Sequence, residues 1–155
     1  MNPILSGAMM LILDQSVKRF FQAFNAFKIN NYLSLQTSWN KGVGFSLLSD
    51  TSNGFLIFLT SLLSLYICYL FFNSNKEGEK VALALILAGA VGNLLDRIMF
   101  AGVLDFIVIK NSYYQFPAFN IADMSITCGG VMLAYYGLFG DKKTGDKFVK
   151  NTAKK

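Results

Sequence analysis

The chain has 155 residues, which fits one domain. It is 54% hydrophobic and only 15% charged, with a mean hydropathy of +0.43; soluble domains average about 25% charged residues, so the balance excludes an ordinary soluble domain and points to a membrane protein. The net charge of +5 is unevenly spread and there is no histidine, which excludes Ser-His-Asp and Cys-His catalysis, zincin-type sites and His-ligated metals.

The first apolar stretch, Pro3 to Leu13, is uncharged but short, and Asp14 ends it. About 20 residues are needed to cross roughly 30 Å of hydrocarbon. The first span is therefore expected over 4–24, with Lys18 and Arg19 snorkelling to the surface. It lacks the basic n-region and small-x-small site of a cleavable signal peptide, so a retained helix is expected. Thr51 to Asn75 carries no charge, and the second span is expected over 53–72. The polar Asn73–Lys80 loop reads as a cytoplasmic hairpin. A third span is expected over 81–99, with Asn93, Asp96 and Arg97 near its far end. A fourth is expected over 121–140, with Asp123 near its start. Lys142, Lys143, Lys147, Lys150, Lys154 and Lys155 then make a basic cytoplasmic tail over 141–155. Nucleic-acid binding is the rival reading of such a tail; it has no aromatic-rich soluble domain beside it and is not expected. Cys68 and Cys128 lack metal-ligand spacing and read as small buried apolar residues.

An even number of spans puts both termini in the cytoplasm and the connections 25–52 and 100–120 together on the outer face. Both connections are rich in aromatic and turn residues. Short strands with a turn, or a short helix near Gly44–Ser49, fit the first, and Val103–Ile109 reads as a strand in the second. The expected fold is an α-helical integral membrane protein of four transmembrane helices, with a small extracytoplasmic β-rich or short-helix surface subdomain. Nothing demands a partner helix, so a monomer is expected, and Gly89 and Gly92 are assigned to internal packing.

Several acids sit where lipid or apolar packing is expected. A carboxylate in the middle of a spanning helix costs roughly 2.5–3.5 kcal/mol on insertion scales. With the spans placed as above, Asp14, Asp96 and Asp123 lie at the outer ends of their helices and Asp105 in the outer connection. Two carboxylates in a partly dry site share one proton. The charged member can take a proton from water while the neutral one donates to a carbonyl oxygen or a leaving nitrogen. Asp105 and Asp123 are the pair that position favours. Asp96, followed at once by Arg97, reads as half of a structural ion pair or as a network residue. Asp14 reads as a cap or anchor of the first helix at the interface, or as a substrate contact. Asn40, Asn93 and Asn120 read as hydrogen-bond support. A small proton- or ion-coupled transporter would use the same carboxylates, so the residues alone leave enzyme and transporter both open. No metal or cofactor is expected.

In order along the chain, Asn40-Lys-Gly-Val-Gly-Phe-Ser46, Gly92-Asn-Leu-Leu-Asp-Arg97, Gly102-Val-Leu-Asp-Phe106 and Phe119-Asn-Ile-Ala-Asp123 resemble the signatures of the bacterial lipoprotein signal peptidases (signal peptidase II). Asp14, in Leu13-Asp-Gln-Ser-Val-Lys18, resembles the acidic residue that follows the first span in that family. The resemblance covers Ile4 to Phe139. It implies a four-span aspartyl endopeptidase of the bacterial inner membrane. Its partners would be membrane lipid and prolipoproteins whose cysteine carries a diacylglyceryl group, cut on the N-terminal side of that cysteine. Asp105 and Asp123 take the catalytic roles by motif matching. Asn40, Asn93, Arg97 and Asn120 match residues that line or brace the site, and Asp14 a polar residue near it; Asp96 and Gly44 complete the supporting set. Gly44 stands where alanine is common in the family, which is expected to loosen the short surface helix. Outer aromatic loops such as Tyr32–Trp39 and Gly44–Leu48 are expected to clamp the lipid and exclude water. Replacing Trp39 or Phe45 with alanine should then weaken processing of a lipidated substrate, and unchanged processing would count against the clamp.

Overall fold

Apolar stretches that must satisfy every backbone N–H and C=O without water do so as helices. The computed structural model, which describes residues 2–23, 27–42, 52–111 and 113–139, contains four long ones: α1 (Pro3–Ala23), α2 (Asn53–Asn73), α3 (Glu77–Phe100) and α4 (Ile121–Phe139). Three strands, β1 (Phe27–Lys28), β2 (Leu33–Asn40) and β3 (Val103–Ile109), form an antiparallel sheet in the order β1-β2-β3. Among the described residues, α2, α3 and α4 are long and apolar enough to cross a membrane. α1 matches α2 in length at 21 residues, but it carries Asp14, Lys18 and Arg19. Large side chains such as Phe58, Leu65 and Phe72 stand exposed along α2, as a lipid-facing surface requires. Cys68 is only half-buried and Cys128 is exposed, so neither fills the buried apolar position expected of it.

The helix limits follow local chemistry. α3 begins at Glu77, earlier than the apolar pattern suggests, because Glu77 and Glu79 suit the positive end of a helix dipole. Ser74 Oγ donates to Glu79 Oε2 at 3.0 Å, and the polar loop shrinks to 74–76. At its other end α3 stops on Ala101, which is left-handed (φ 56°) and donates its N–H to the Arg97 carbonyl. This turn returns the chain as β3.

α3 is the central helix and packs against α1, α2 and α4. Close approach is possible because its buried face is small: Ala82, Ala84, Ala88, Gly89 and Gly92. A Cβ on Gly92 would lie 2.7 Å from Asp14 Oδ2, so this glycine makes room for a carboxylate from α1. The assignment of Gly89 and Gly92 to internal packing holds. Asn53 Nδ2 donates to the Arg97 carbonyl at 3.1 Å, and the Ala122 N–H donates to Asp14 Oδ1 at 2.8 Å. The C-terminal halves of α1 and α3 therefore share one end of the bundle with the starts of α2 and α4. The sheet mounts on that end. Thr37 Oγ1 donates to the Phe21 carbonyl at 3.1 Å, and Phe21 stacks on Phe106 at 4.7 Å beside buried Leu104.

Adjacent glycines in α4 offer a matched test of this packing. A Cβ on Gly129 would sit 2.6 Å from the Ala82 carbonyl oxygen, whereas one on Gly130 would meet nothing within 4 Å. Gly129→Ala is expected to cost about 1–3 kcal/mol of stability. Gly130→Ala should be neutral or gain up to about 1 kcal/mol from helix propensity. Thermal unfolding in detergent checks both, and equal melting shifts would contradict the packing described.

Candidate active site

Asp105 reaches the site from β3, and a break in strand register decides what it meets there. β2 pairs Leu33 with Ile109 and Leu35 with Ile107, then resumes with Ser38 opposite Asp105 and Asn40 opposite Val103. One extra residue at Gln36–Thr37 therefore forms a β-bulge. Opposed residues share a face and a one-residue slip exchanges faces. Without the bulge, Thr37 would oppose Asp105 and Trp39 would share its face. With it, Asn40 does, and Asn40 Nδ2 donates to Asp105 Oδ2 at 2.9 Å. Trp39 is turned to pack on Phe100, with ring centroids 5.3 Å apart.

Asp123 is delivered by the start of α4. Asn120 Oδ1 accepts from the Asp123 N–H at 2.9 Å, and Asp123 Oδ2 accepts from the Asn120 N–H at 3.2 Å. This reciprocal arrangement is a capping box. Asp14 satisfies the next free amide, that of Ala122. Asn120 is fully buried, and its Nδ2 also donates to Asp105 Oδ1 at 2.7 Å. One residue thus touches both candidate catalytic carboxylates.

All three asparagine amides are oriented by groups that can only donate. Asn40 Oδ1 accepts from the Gly42 N–H at 2.9 Å. Asn120 Oδ1 is held by the Asp123 N–H. Asn93 Oδ1 accepts from the Lys18 ammonium at 2.9 Å, so its Nδ2 faces Asp123 Oδ1, also at 2.9 Å. Each oxygen of Asp105 and Asp123 consequently receives one fixed donor. Buried carboxylates demand such partners.

The sequence-derived site residues come together, with corrections to the expectations for Lys18, Asp96 and Asp14. Lys18 does not snorkel: it is fully buried, 2.9 Å from Asp14 Oδ2 and 3.0 Å from Asp96 Oδ2. Two carboxylates held in apolar surroundings attract the ammonium more strongly than the distant interface does. Asp96 does not pair with Arg97. It takes Lys18, the Leu104 N–H at 3.2 Å and Arg19 at 3.4 Å, which is the network role. Neighbouring residues on a helix point about 100° apart, and Arg97 instead donates to the Gly42 carbonyl. Asp14 does not cap the first helix: it is fully buried and instead accepts the Ala122 N–H at the start of α4. Gly44 and the expected short helix near Gly44–Ser49 lie outside the described residues. Sequence reasoning missed Lys18 and Gln15. Gln15 Nε2 donates to Asp14 Oδ2 and to the Gly92 carbonyl, each at 3.1 Å. The four-residue spacing of Asp14 and Lys18 was the available signal.

An open cavity of about 540 Å³ lies beside Asp105, lined by Gln36, Ser38, Asn40, Lys41 and Gln115 together with Trp39 and Phe116. Burial pushes the Asp105 carboxyl up to about 6, helped by the nearby Asp123 charge and opposed by the Asn40 and Asn120 donors and by Lys18. A site whose carboxyl holds its proton near neutral pH, next to a second carboxylate, suits acid–base hydrolysis.

The family model described as signal peptidase (SPase) II matches residues 7–139. The chain belongs to that family. The lipoprotein signal peptidase of Pseudomonas paraeruginosa (strain DSM 24068 / PA7) is 40% identical over 150 residues, spanning 89% of this chain and 88% of the relative. That of Anaplasma phagocytophilum (strain HZ) is 34% identical over 128 residues, spanning 79% and 82%. A solved bacterial membrane enzyme, determined by the in meso method at 2.3 Å resolution, superposes with a TM-score of 0.79 at 30% identity over 92% of this chain and 90% of its own. Signal peptidase II membership makes the protein a membrane-embedded protease and leaves the transporter reading without support.

The raised Asp105 carboxyl has a consequence for stability. Its ordinary value is 3.8 and its folded value about 6, so the folded state binds this proton more tightly than the unfolded chain does. That contribution is fully present below pH 3.8 and is lost as pH rises through about 6. Asp105→Asn, which removes the buried charge, is expected to be more stable than the parent by on the order of 2–3 kcal/mol above pH 7. The advantage should vanish near pH 4. Melting curves across this range check it; a pH-independent difference would contradict the assignment.

Proposed function

We propose that the protein is a membrane aspartyl endopeptidase that removes the signal peptide from diacylglyceryl-modified prolipoproteins, with Asp105 and Asp123 as its catalytic pair. The observation that carries the reading is Asn120, which donates to a carboxylate oxygen of each through its side chain and its backbone. Asp105, whose proton is held up to about pH 6, is suited to act as the acid, and Asp123 as the base. Asp123 takes a proton from water as the water oxygen attacks the scissile carbonyl, and Asp105 gives its proton to the carbonyl oxygen. The tetrahedral diol then collapses. Asp123 passes its proton to the leaving nitrogen as the C–N bond breaks, Asp105 takes a proton back from a diol hydroxyl as the carboxyl product forms, and the pair returns to its singly protonated state.

Chain geometry supports the substrate class. A signal peptide is an apolar helix and reaches a bilayer-level site sideways. Its scissile bond must first leave the helix, because helical peptide bonds are paired and shielded. The cavity beside Asp105 offers Gln36, Ser38 and Gln115 as partners for an extended, unpaired backbone. Asn40 and Asn93 hold the two carboxylates from β2 and α3, while Arg97 braces the turn at Gly42. Asp14 and Asp96 hold the helices in place around them. In this reading α1 is the fourth membrane span. Both termini are cytoplasmic, the sheet and the active site face the extracytoplasmic side of the inner membrane, and the enzyme works as a monomer.

Purified protein in detergent, given a lipidated prolipoprotein, is expected to release the signal peptide. Asp105→Asn and Asp123→Asn should each lower the cleavage rate by at least about 10³-fold. Persistence of cleavage in both variants would refute the catalytic pair.

A further inference from the structure

We infer that Lys18 is a positioning residue for the Asp105–Asp123 pair: its ammonium locks the Asn93 amide and thereby sets the donor that faces Asp123. The inference rests on the catalytic reading above. Lys18 is fully buried and has three N–H bonds and no acceptor. All three find partners: Asp14 Oδ2 at 2.9 Å, Asp96 Oδ2 at 3.0 Å and Asn93 Oδ1 at 2.9 Å. The two carboxylates satisfy the charge. The third contact, to a neutral amide, is one that charge pairing does not require, and it fixes which way Asn93 points. Asn120 Nδ2, at 3.2 Å from the same oxygen, reinforces that direction through a longer hydrogen bond from a neutral donor.

The alternative orientation of Asn93 would set its oxygen against Asp123 Oδ1, across the 2.9 Å now bridged by a donor. Two facing oxygens at that distance are tolerable only when the carboxyl carries the proton. A flipped Asn93 would therefore hold the catalytic base in its inactive, protonated form. Lys18 prevents this from α1, through α3, to α4. The charged groups around this relay are Asp14 and Arg19 on α1, Asp96 and Arg97 on α3, Asp105 on β3 and Asp123 on α4. Only Lys18 touches Asn93 among them, apart from Asp123 itself.

The test is the pH profile of kcat/KM for cleavage of a lipidated prolipoprotein. Lys18→Met alone would strand two buried acids, so the charge-balanced pairs Lys18→Met/Asp96→Asn and Lys18→Met/Asp14→Asn are used, with a cooperative melting transition required of each. Either is expected to move the acid limb to higher pH by about one unit, the loss of one charge-assisted hydrogen bond. Lys18→Arg keeps a donor-only cation and should leave the limb in place. Asn93→Ala keeps the ion cluster intact, removes the same donor and should shift the limb in the same direction, and combining it with either pair should move the limb no further than the larger single shift. A limb unmoved in a folded charge-balanced pair, or in Asn93→Ala, overturns the inference, as does simple additivity. Failure of the catalytic reading is separate: it would show as parent-like cleavage by Asp105→Asn and Asp123→Asn.

Discussion

Anionic oxygens placed away from bulk water must each be given a hydrogen-bond donor, and the architecture around Asp105 and Asp123 follows from that demand. Four carboxylate oxygens are served by Asn40, Asn93, the Asn120 side chain and the Asn120 backbone. Those donors come from β2, α3 and the cap of α4, so the site exists only when three separated parts of the chain are in register. Amides suit the task because they carry no charge of their own, yet an amide is useful only if it cannot turn round. In each case a group without an acceptor stands on the oxygen side and removes that freedom.

The same demand explains the bundle's most polar layer. Lys18, Asp14 and Asp96 form a buried cluster, and Asp14 and Asp96 also accept backbone amides at the start of α4 and in β3. Buried ion pairs are poor sources of stability by themselves. Here they tie α1 to α3, to α4 and to β3 at the level of the site, which converts their cost into fixed geometry. Gly92 permits it by leaving space for the Asp14 carboxylate.

Much of this was legible in the sequence. The uncharged run from Thr51 to Asn75 foretold α2, and Val103–Ile109 was a strand at the limits expected. The aspartates and asparagines stood out because polar residues in apolar surroundings are expensive. The environment of Lys18 was not legible, since a lysine near a helix end normally reaches for water, and only the arrival of Asp96 from a different helix reverses that preference. The expected Asp96–Arg97 pair failed because adjacency in sequence is divergence on a helix. The extra residue in β2 was also invisible: alternation within Leu33–Asn40 is irregular, and the partner register that defines a bulge resides in β3.

That bulge separates two tasks within one strand. Leu33–Leu35 keep one register with Ile107–Ile109, Ser38–Asn40 keep another with Val103–Asp105, and the extra residue at Gln36–Thr37 absorbs the offset between them. Removing that one residue would merge the two registers and leave Asn40 opposite Val103, on the face of Asp105. Keeping it while pairing the strand without interruption would instead carry the Trp39 indole to the carboxyl in place of the amide. The spare residue works as a phase shifter: it lets the strand begin in one alternation and deliver its last side chains in the other.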